Sequence, residues 1–463
     1  MTTNNIFNSS FKNINITQIV AFDSKYDFNL DLEELKEKIK ETRYFSESFI
    51  DYRPLSENIY DSEYANTNSE KVLVIETKIK LAVILFYSEE ILNREIKKNP
   101  EKEEVFRDIF DSCKKIKEFY IDPIQIILSF DSCGVHSIRA DFNLNPIKTP
   151  ELINMVKATC SLIDDFFFNC LKEDLQKNKI IEKDMLIEPM TYSVISCTDA
   201  DINPFLIKKE ILGISWKTTD YEEIDKRIFK DITNNDIAIY EGDILTVTTQ
   251  ATFMVFFDVA DKYYDVYVNE RINAIEIFWR QKFLLKKMHF QLDTLIKDVD
   301  ILRKSNIESA IKSIEFIQIA IQSELEAYRN TIISVTHSYS MLFETLNKVL
   351  KINKHYDFVQ EKLETCKSIY DGLNEDRRNN LMENIQWIVV VIGIATVLLP
   401  LLTDVIYGPD LGPKQTWNVI FIIGFVLFGG LGIIFKTNIK SFIVSAGKKI
   451  KSSIVNNLNL KIN

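Results

Sequence analysis

Small and hydroxyl-bearing residues recur at helical spacing inside an apolar stretch near the C-terminus. They lie three or four positions apart, so a helix places them on one face: Gly393, Thr396, Pro400, Thr403 and Tyr407. Contact with lipid does not explain hydroxyl groups on such a face, whereas a water-filled path would use them. Two helices from one chain cannot enclose a path, so the pattern predicts that several copies line it together.

Two uncharged stretches surround a short loop in this part of the chain. Residues 385–402 are 18 without a charge and residues 417–435 are 19, and each is long enough to cross about 30 Å of hydrocarbon. Arg377 and Arg378 precede the first stretch, and a lysine-rich tail, 436–463, follows the second. The positive-inside rule therefore predicts a multi-pass protein of the cell (inner) membrane, with both termini cytoplasmic and the loop 403–416 outside.

A helical stem is predicted ahead of the first span. Residues 243–371 contain neither Gly nor Pro, which favours long helices. We predict one amphipathic helix over 263–302 and a second that starts near Ser305 or Asn306 and runs on, as about 90 residues, into the membrane. Residues spaced by seven in two series, from Leu342 to Tyr370 and from Thr345 to Leu373, indicate a coiled coil or a bundle with the chain's own helices. The stem is assigned to 259–384.

The N-terminal part, residues 1–258, has the pattern of a mixed α/β domain, so the whole chain is predicted as α+β. Predicted strands are 126–130, 137–143, 191–197, 237–240, 244–249 and 252–257, and predicted helices are 32–42, 89–98, 103–119 and 150–175. Residues 72–87 are predicted as one buried core element. No Gly-rich phosphate loop, nucleophile elbow or paired-carboxylate motif is found. We therefore expect that the chain is not an enzyme, that it has no catalytic residues and that it binds no organic cofactor.

Net charge and the spacing of cysteines and histidines limit the kinds of partner and metal that the chain is expected to bind. A net charge of -11 argues against a protein that binds nucleic acid by broad phosphate neutralisation. Six scattered cysteines and four distant histidines give no zinc spacing, and the cysteines are expected to be reduced. Two groups of aspartates have spacings that would allow them to face a cation: 199 and 201, and 258, 261 and 265. More commonly such groups face water.

The stretch 370–408, YDGLNEDRRNNLMENIQWIVVVIGIATVLLPLLTDVIYG, resembles the stem-to-pore segment of the CorA family of magnesium channels. The shared features are an asparagine-rich start, an Ile-Ala-Thr stretch, a Leu-Pro-Leu turn and a terminal Tyr-Gly, and the basic tail is also similar. The resemblance covers roughly 305–440 in detail. It implies a homopentamer in the lipid bilayer that transports Mg²⁺ or another divalent cation under control of the cytoplasmic domain.

The resemblance also implies roles for particular residues. The polar face of the first span would line the pore, and Tyr407-Gly408-Pro409-Asp410 stands where the family has Tyr-Gly-Met-Asn, at the outer mouth. Asp410 is thus the candidate contact for a hydrated cation, and the exchange of Asn for Asp predicts weaker selectivity for magnesium.

Two other functions stay open on the sequence alone. The chain is also similar to CorA-like membrane effectors of prokaryotic antiviral (type III CRISPR) systems, which implies gating by a nucleotide second messenger bound to the cytoplasmic domain. A structural anchor with a coiled-coil stem is the third alternative.

Overall fold

The computed structural model describes residues 8–23, 32–42, 49–54, 71–98, 100–104, 107, 111, 114, 116–130, 135–167, 171–181, 185, 187–202, 206–223, 236–238, 243–256, 261–305, 308, 310–312, 314–315, 317–319, 321 and 340–407. Over these residues the protein has mixed α+β structure with a large sheet and long helices, as its sequence predicts. The chain divides into two units, residues 1–300 with 313–366 and residues 301–312 with 367–463.

The first unit is built on a nine-stranded sheet in the order β2-β3-β4-β5-β1-β7-β9-β8, with β6 paired to β1. The strands are β1 Ser10–Asp23, β2 Phe49–Pro54, β3 Lys71–Ile79, β4 Tyr120–Phe130, β5 Val135–Leu144, β6 Ile147–Lys148, β7 Met190–Asp201, β8 Ile244–Val247 and β9 Ala251–Val255. Neighbouring strands are antiparallel, except that β7 and β9 are parallel.

Helices connect and follow the strands. They are α1 Leu32–Lys40, α2 Leu81–Lys98, α3 Ile116–Phe119, α4 Thr149–Phe166, α5 Lys172–Lys177, α6 Ile207–Trp216, α7 Asp261–Ser305, α8 Ser340–Leu350 and α9 Ile352–Tyr407. The predicted helix 263–302 is confirmed by α7. The predicted helix 150–175 corresponds to α4 and α5, which are separate elements.

The sheet is covered on both faces within the first unit. On one face an apolar core joins it to α4 through residues such as Ile16, Phe142 and Leu152. On the other face α7 packs against it, since the Trp279 indole N–H donates to the carbonyl of Met190 over 2.8 Å. Burial of each large apolar side chain contributes about 1.5–3 kcal/mol, so apolar packing on both faces stabilises the sheet, with Ile275 and Phe283 buried on α7.

Several predicted strands are confirmed and others need correction. The predicted strands 126–130, 137–143 and 191–197 lie within β4, β5 and β7. The predicted single element 72–87 is wrong, because a strand ends at Ile79 and a helix starts at Leu81, whose N–H is capped by Asp122. Ile237 and Ala238 do not form a strand, so the predicted strand 237–240 is wrong at these two residues. Strand β8 instead pairs with β9 across a turn at 248–250.

The prediction of one unbroken helix from about 305 into the first span is wrong at Lys351. That residue has φ 56°, a left-handed conformation that ends α8. The Asn347 carboxamide then accepts the N–H of Asn353 over 3.0 Å and so caps the start of α9. Gly372, the first glycine after this long stretch, lies inside α9 and does not break the helix. At 56 residues, α9 is about 84 Å long.

The seven-residue repeat is reflected in burial within a single chain. One series, Ile352, Val359, Cys366 and Leu373, is buried, whereas Tyr356 and Leu363 of the other series are half-buried. In the first unit α7 runs beside α8 and α9 in the same direction, with the Phe278 and Phe343 rings 4.5 Å apart and Lys362 bound to His289. Packing between helices of the same chain thus satisfies the repeat at 352–366.

Candidate functional site

The predicted pore face lies on α9. Thr396 is exposed, and its hydroxyl donates to the carbonyls of Ile392 over 3.0 Å and Gly393 over 2.9 Å. The hydroxyl proton is therefore satisfied within the helix, and the Thr396 oxygen keeps accepting capacity toward its surroundings. Gly393 has open space where a Cβ would stand. The two residues form a small, polar strip on the helix surface.

The rest of the predicted site is described in part. Pro400, Thr403 and Tyr407 belong to the same continuous helix, so their spacing places them on the face of Gly393 and Thr396. Only their backbone is described. Gly408, Pro409 and Asp410, predicted at the outer mouth, lie outside the described residues.

Large apolar side chains surround the polar strip. Seven of them between positions 385 and 394 are 38–61% exposed: Ile385, Trp387, Ile388, Val389, Val390, Ile392 and Ile394. Ten consecutive helical positions cover every direction around the axis at 100° per residue, so this part of α9 is apolar all round except at Gln386 and the strip.

Among the residues that the structure describes, no helix is long and apolar enough to cross a membrane. The second predicted span, 417–435, the loop from 408 onward and the tail 436–463 lie outside the described residues. The two spans therefore stay predictions.

A second polar site, which sequence reasoning missed, joins the sheet to α7. The Arg139 guanidinium of β5 donates to both carboxylate oxygens of Asp141 at 2.9–3.0 Å. It also donates to the carboxamide oxygens of Asn273 over 3.1 Å and Asn269 over 2.7 Å, both on α7. All but one of its N–H groups are thus used within the protein.

Two hydroxyl groups complete this Arg139 network. Thr17 of β1 donates to Asp141 over 2.5 Å, and Ser137 of β5 donates to Glu276 of α7 over 2.5 Å. Arg139, Asp141 and Glu276 are buried. Burial by itself lowers the pKa of Arg139, but the Asp141 carboxylate more than offsets it and raises the pKa above its usual value. Arg139 is therefore charged, and the network attaches α7 to the centre of the sheet.

A cysteine with polar neighbours lies at the end of α4, but it is not an activated nucleophile. The Lys217 ammonium is 2.7 Å from the Cys160 thiol, and Asp164 accepts from Thr191 over 2.5 Å. Burial raises the pKa of the Cys160 thiol in spite of Lys217. Since the thiolate is the reactive form, this arrangement does not favour nucleophilic catalysis.

The acidic groups considered for a cation are described only in part. Asp199 pairs with Lys12 over 2.8 Å at the surface, and Asp258 lies outside the described residues. Within the part of the chain that the structure describes, no group of three or more His, Cys, Asp or Glu side chains has the arrangement of a metal site. Cys160, Cys197 and Cys366 are free thiols.

No protein-family model matches the chain, and comparison with curated proteins gives no match either. Evidence on function therefore comes from α9 and from the first unit.

Proposed function

We propose that this chain is a subunit of a CorA-like homopentameric cation channel in the cell (inner) membrane, conducting Mg²⁺ or another divalent cation and gated by its cytoplasmic domain. The observation that carries the proposal is the exposed apolar surface of α9 from Ile385 to Ile394, interrupted by the strip at Gly393 and Thr396.

The exposed apolar surface is too costly to leave in water. Full burial of a large apolar side chain is worth about 1.5–3 kcal/mol, so seven such residues at roughly half exposure amount to several kcal/mol per chain. A helix that is apolar in every direction belongs in a core or in lipid. No charged residue occurs from 385 to 402, which favours lipid.

The polar strip supports a pore within an assembly of several chains. Lipid on all sides of α9 would leave the outward-facing oxygen of Thr396 without a hydrogen-bond donor, whereas water along an axis shared by several copies supplies one. Gly393, Thr396, Pro400, Thr403 and Tyr407 would then line the path, with Asp410 at its outer mouth. The pentameric number comes from the family resemblance.

The arrangement of the first unit supports gating by the cytoplasmic domain. The Arg139 network attaches the sheet to α7, and Lys362 of α9 donates to Asp293 of α7. A ligand or ion that shifts the sheet would therefore act on α7 and, through it, on the start of α9. These contacts are charge-assisted and part-buried or buried, so they are among the stronger polar links available.

Three measurements on the full-length chain test the proposal. The mass of the detergent-purified protein should equal five chains, and proteoliposomes should take up divalent cations. Ile394→Lys should reduce insertion into the membrane, since a lysine near the centre of a span costs about 2.5–3.5 kcal/mol. Glu364→Lys, at an exposed position of the same helix, is the matched control. A stable monomer, or normal membrane insertion of Ile394→Lys, would contradict the proposal.

A further inference from the structure

Two stretches of twelve residues carry positive charge and no carboxylate. Residues 281–292 of α7 and residues 345–356 of α8 and α9 each contain three lysines and one histidine, without Asp or Glu. In the whole chain 67 of 463 residues are Asp or Glu, about one in seven, which is an ordinary share for a globular protein. The two neighbouring stretches are therefore locally basic in an acidic protein.

The two stretches lie side by side in the first unit. Upstream, the Phe278 ring of α7 contacts the Phe343 ring of α8 at 4.5 Å. Downstream, Lys362 of α9 lies 3.1 Å from the Nε2 atom of His289 and also donates to Asp293. Because the helices run in the same direction between these two contacts, lysines of the two stretches come near one another, whereas Lys287 is buried and acts on His136 of the sheet.

Four lysines that act on one another there, together with two imidazoles, form what we call the cationic cluster: Lys282, Lys286, Lys351 and Lys354, beside His289 and His355. Lys282 and His355 are half-buried, and Lys286, Lys351 and Lys354 are exposed around them. Burial is the main cause that lowers the pKa of Lys282 and of His355, and neighbouring lysines lower both further. The four lysines supply the positive charge of the cluster, since the Nε2 atom of His289 accepts from the Lys362 ammonium.

Among the residues that the structure describes, neighbouring carboxylates do not neutralise the cluster. Asp293, the nearest carboxylate downstream on α7, already binds Lys362, and Asp357 on α9 is exposed to solvent. The cluster also surrounds the start of α9, which begins at Ile352 directly after Lys351. The N-terminus of a long helix has a partial positive charge, so it adds to the potential of the lysines.

Aromatic rings hold two of the lysines in place. The Lys282 ammonium lies 4.8 Å from the centre of the Trp279 ring, and the Lys354 ammonium lies 5.5 Å from that of Phe358. Such cation–π contacts restrict the long side chains and reduce the entropy lost when they bind a ligand.

We propose that the cationic cluster is a binding site for a small anion that carries two or more phosphate groups. Lysine binds phosphate oxygens as a point charge, and each phosphate group has a charge of about −1.5 to −2 near neutral pH. A diphosphate therefore matches the four lysines in charge. The site belongs to the first unit and shares no residue with the predicted pore face, and its occupation does not depend on ion conduction.

Titration of the detergent-purified full-length protein with inorganic pyrophosphate tests the site. Calorimetry should show saturable binding that weakens as salt is added, because screening acts on exposed charges. Lys282→Gln and Lys351→Gly should each weaken binding about tenfold, the usual loss for one charge-assisted hydrogen bond. Lys351→Gly removes an ammonium at a left-handed position, where glycine is favourable. Lys177→Gln, at the exposed end of α5, should bind pyrophosphate like the wild type.

Thermal unfolding gives a second measurement that also reports on folding. Without pyrophosphate, Lys282→Gln should unfold at a slightly higher temperature than wild type, because repulsion within the cluster is relieved. With pyrophosphate, the wild type should gain more stability than the variant. A variant that fails to fold would show a lower midpoint without ligand, so it would be recognised.

Vesicles separate the two sources of phosphate. Binding to pyrophosphate supports a soluble ligand, whereas binding only to cardiolipin vesicles, whose headgroup carries two phosphates, and not to phosphatidylcholine vesicles, assigns the phosphates to a lipid headgroup. An absence of response to both, or equal binding by Lys282→Gln and wild type, would overturn the site. Because cation uptake is measured separately, either failure leaves the channel proposal to its own test.

Discussion

Thr17 and Gln18 are neighbours in β1, yet their side chains bind on opposite faces of the sheet. The Thr17 hydroxyl donates to Asp141 on the side of α7, and the Gln18 carboxamide donates to the Thr159 hydroxyl of α4 over 3.0 Å. Both residues are buried. The central strand therefore carries polar groups on both faces, and each group is paired.

The Arg139 network predicts a large loss of stability when one charge is removed. Arg139→Met leaves the Asp141 carboxylate buried without its cation, and such a change costs about 3–5 kcal/mol. Chemical unfolding of the purified protein measures it. The double variant Arg139→Met/Asp141→Leu should regain much of the loss, since the Asp141 carboxylate is no longer buried without its cation. Lys12→Met, which breaks an exposed ion pair with Asp199, is the control and should leave stability unchanged. Equal stability of Arg139→Met and wild type would refute the role of the network.

The same network shows why sequence reasoning found β5 but neither β1 nor the site. Alternation of apolar and polar residues at 137–143 predicts a strand with one wet face, yet Arg139 and Asp141 are covered by Asn269, Asn273 and Glu276 of α7. Pattern alone does not tell a solvated face from one buried against a polar helix. In β1 the paired groups Thr17 and Gln18 interrupt the apolar periodicity, so no strand was predicted there.

The helix break at Lys351 was beyond sequence reasoning for a different reason. Left-handed residues at helix ends are usually Gly or Asn, whereas this one is a lysine that follows a sequence of good helix formers. The candidate pore face was predictable, because helical spacing determines which residues share a side. The surroundings of Asp410 were not, because they depend on loop geometry and on neighbouring chains.

Substitutions at Lys351 test the break. Lys351→Gly should be neutral or stabilising by about 0.5 kcal/mol, because glycine adopts positive φ without strain. Lys351→Val should destabilise by about 1–2 kcal/mol, because a β-branched residue resists that conformation. Chemical unfolding of both variants gives the comparison. If valine is tolerated as well as glycine, α8 and α9 form a continuous helix and the break is wrong.

We expect the carboxyl group of Asp165, near the end of α4, to lower the stability of the folded protein in a pH-dependent way. Burial and, to a smaller extent, the neighbouring Asp164 together raise its pKa from 3.8 to about 6. Between pH 3.8 and 6 the folded protein binds more protons at Asp165 than the unfolded chain, so this group's contribution to stability falls as pH rises through that range. Above pH 6 the free energy of unfolding is lowered by the full amount, about 1–2 kcal/mol after allowance for partial exposure.

Asp165→Asn should therefore be more stable than wild type at pH 7, and the difference should shrink as pH falls toward 4. Unfolding curves at several pH values measure this difference, and subtraction removes the opposite contribution of the buried His136, whose pKa burial lowers. Glu173→Gln, at an exposed position in α5, is the control. A difference that stays constant with pH would show that Asp165 titrates normally.

The orientation of α9 in an assembly is tested by bulky substitutions. Thr396→Phe and Thr403→Phe should block cation uptake into proteoliposomes, because both positions belong to the predicted pore face. Leu398→Phe, about 200° around the helix from Thr396, should have a mild effect and serves as the control for expression and insertion. Equal effects at all three positions would mean that α9 is rotated differently.

The last prediction concerns the outer mouth. In a pentamer, five copies of Asp410 would surround the external entrance with carboxylates where the CorA family has a neutral amide. A ring of charge raises the local concentration of many cations, whereas Mg²⁺ keeps its water and requires near-octahedral oxygen geometry. Pro409 has no backbone N–H and fixes its own φ, so the loop before Asp410 has less freedom to adapt. We therefore expect cation flux with weak discrimination among divalent ions.

Asp410→Asn tests this expectation in proteoliposomes loaded with a divalent-sensitive dye. The variant should take up cations more slowly at low ionic strength and should gain preference for Mg²⁺ over Ca²⁺ by several-fold, because a neutral ring interacts with the hydration shell instead of with bare charge. Glu364→Gln, which removes an exposed carboxylate of α9 in the predicted cytoplasmic stem, is the control and should change neither rate nor preference. If Asp410→Asn conducts at the wild-type rate with wild-type preference, Asp410 is not at the selectivity site, and the role inferred from the Tyr-Gly-Met-Asn resemblance does not apply to this chain.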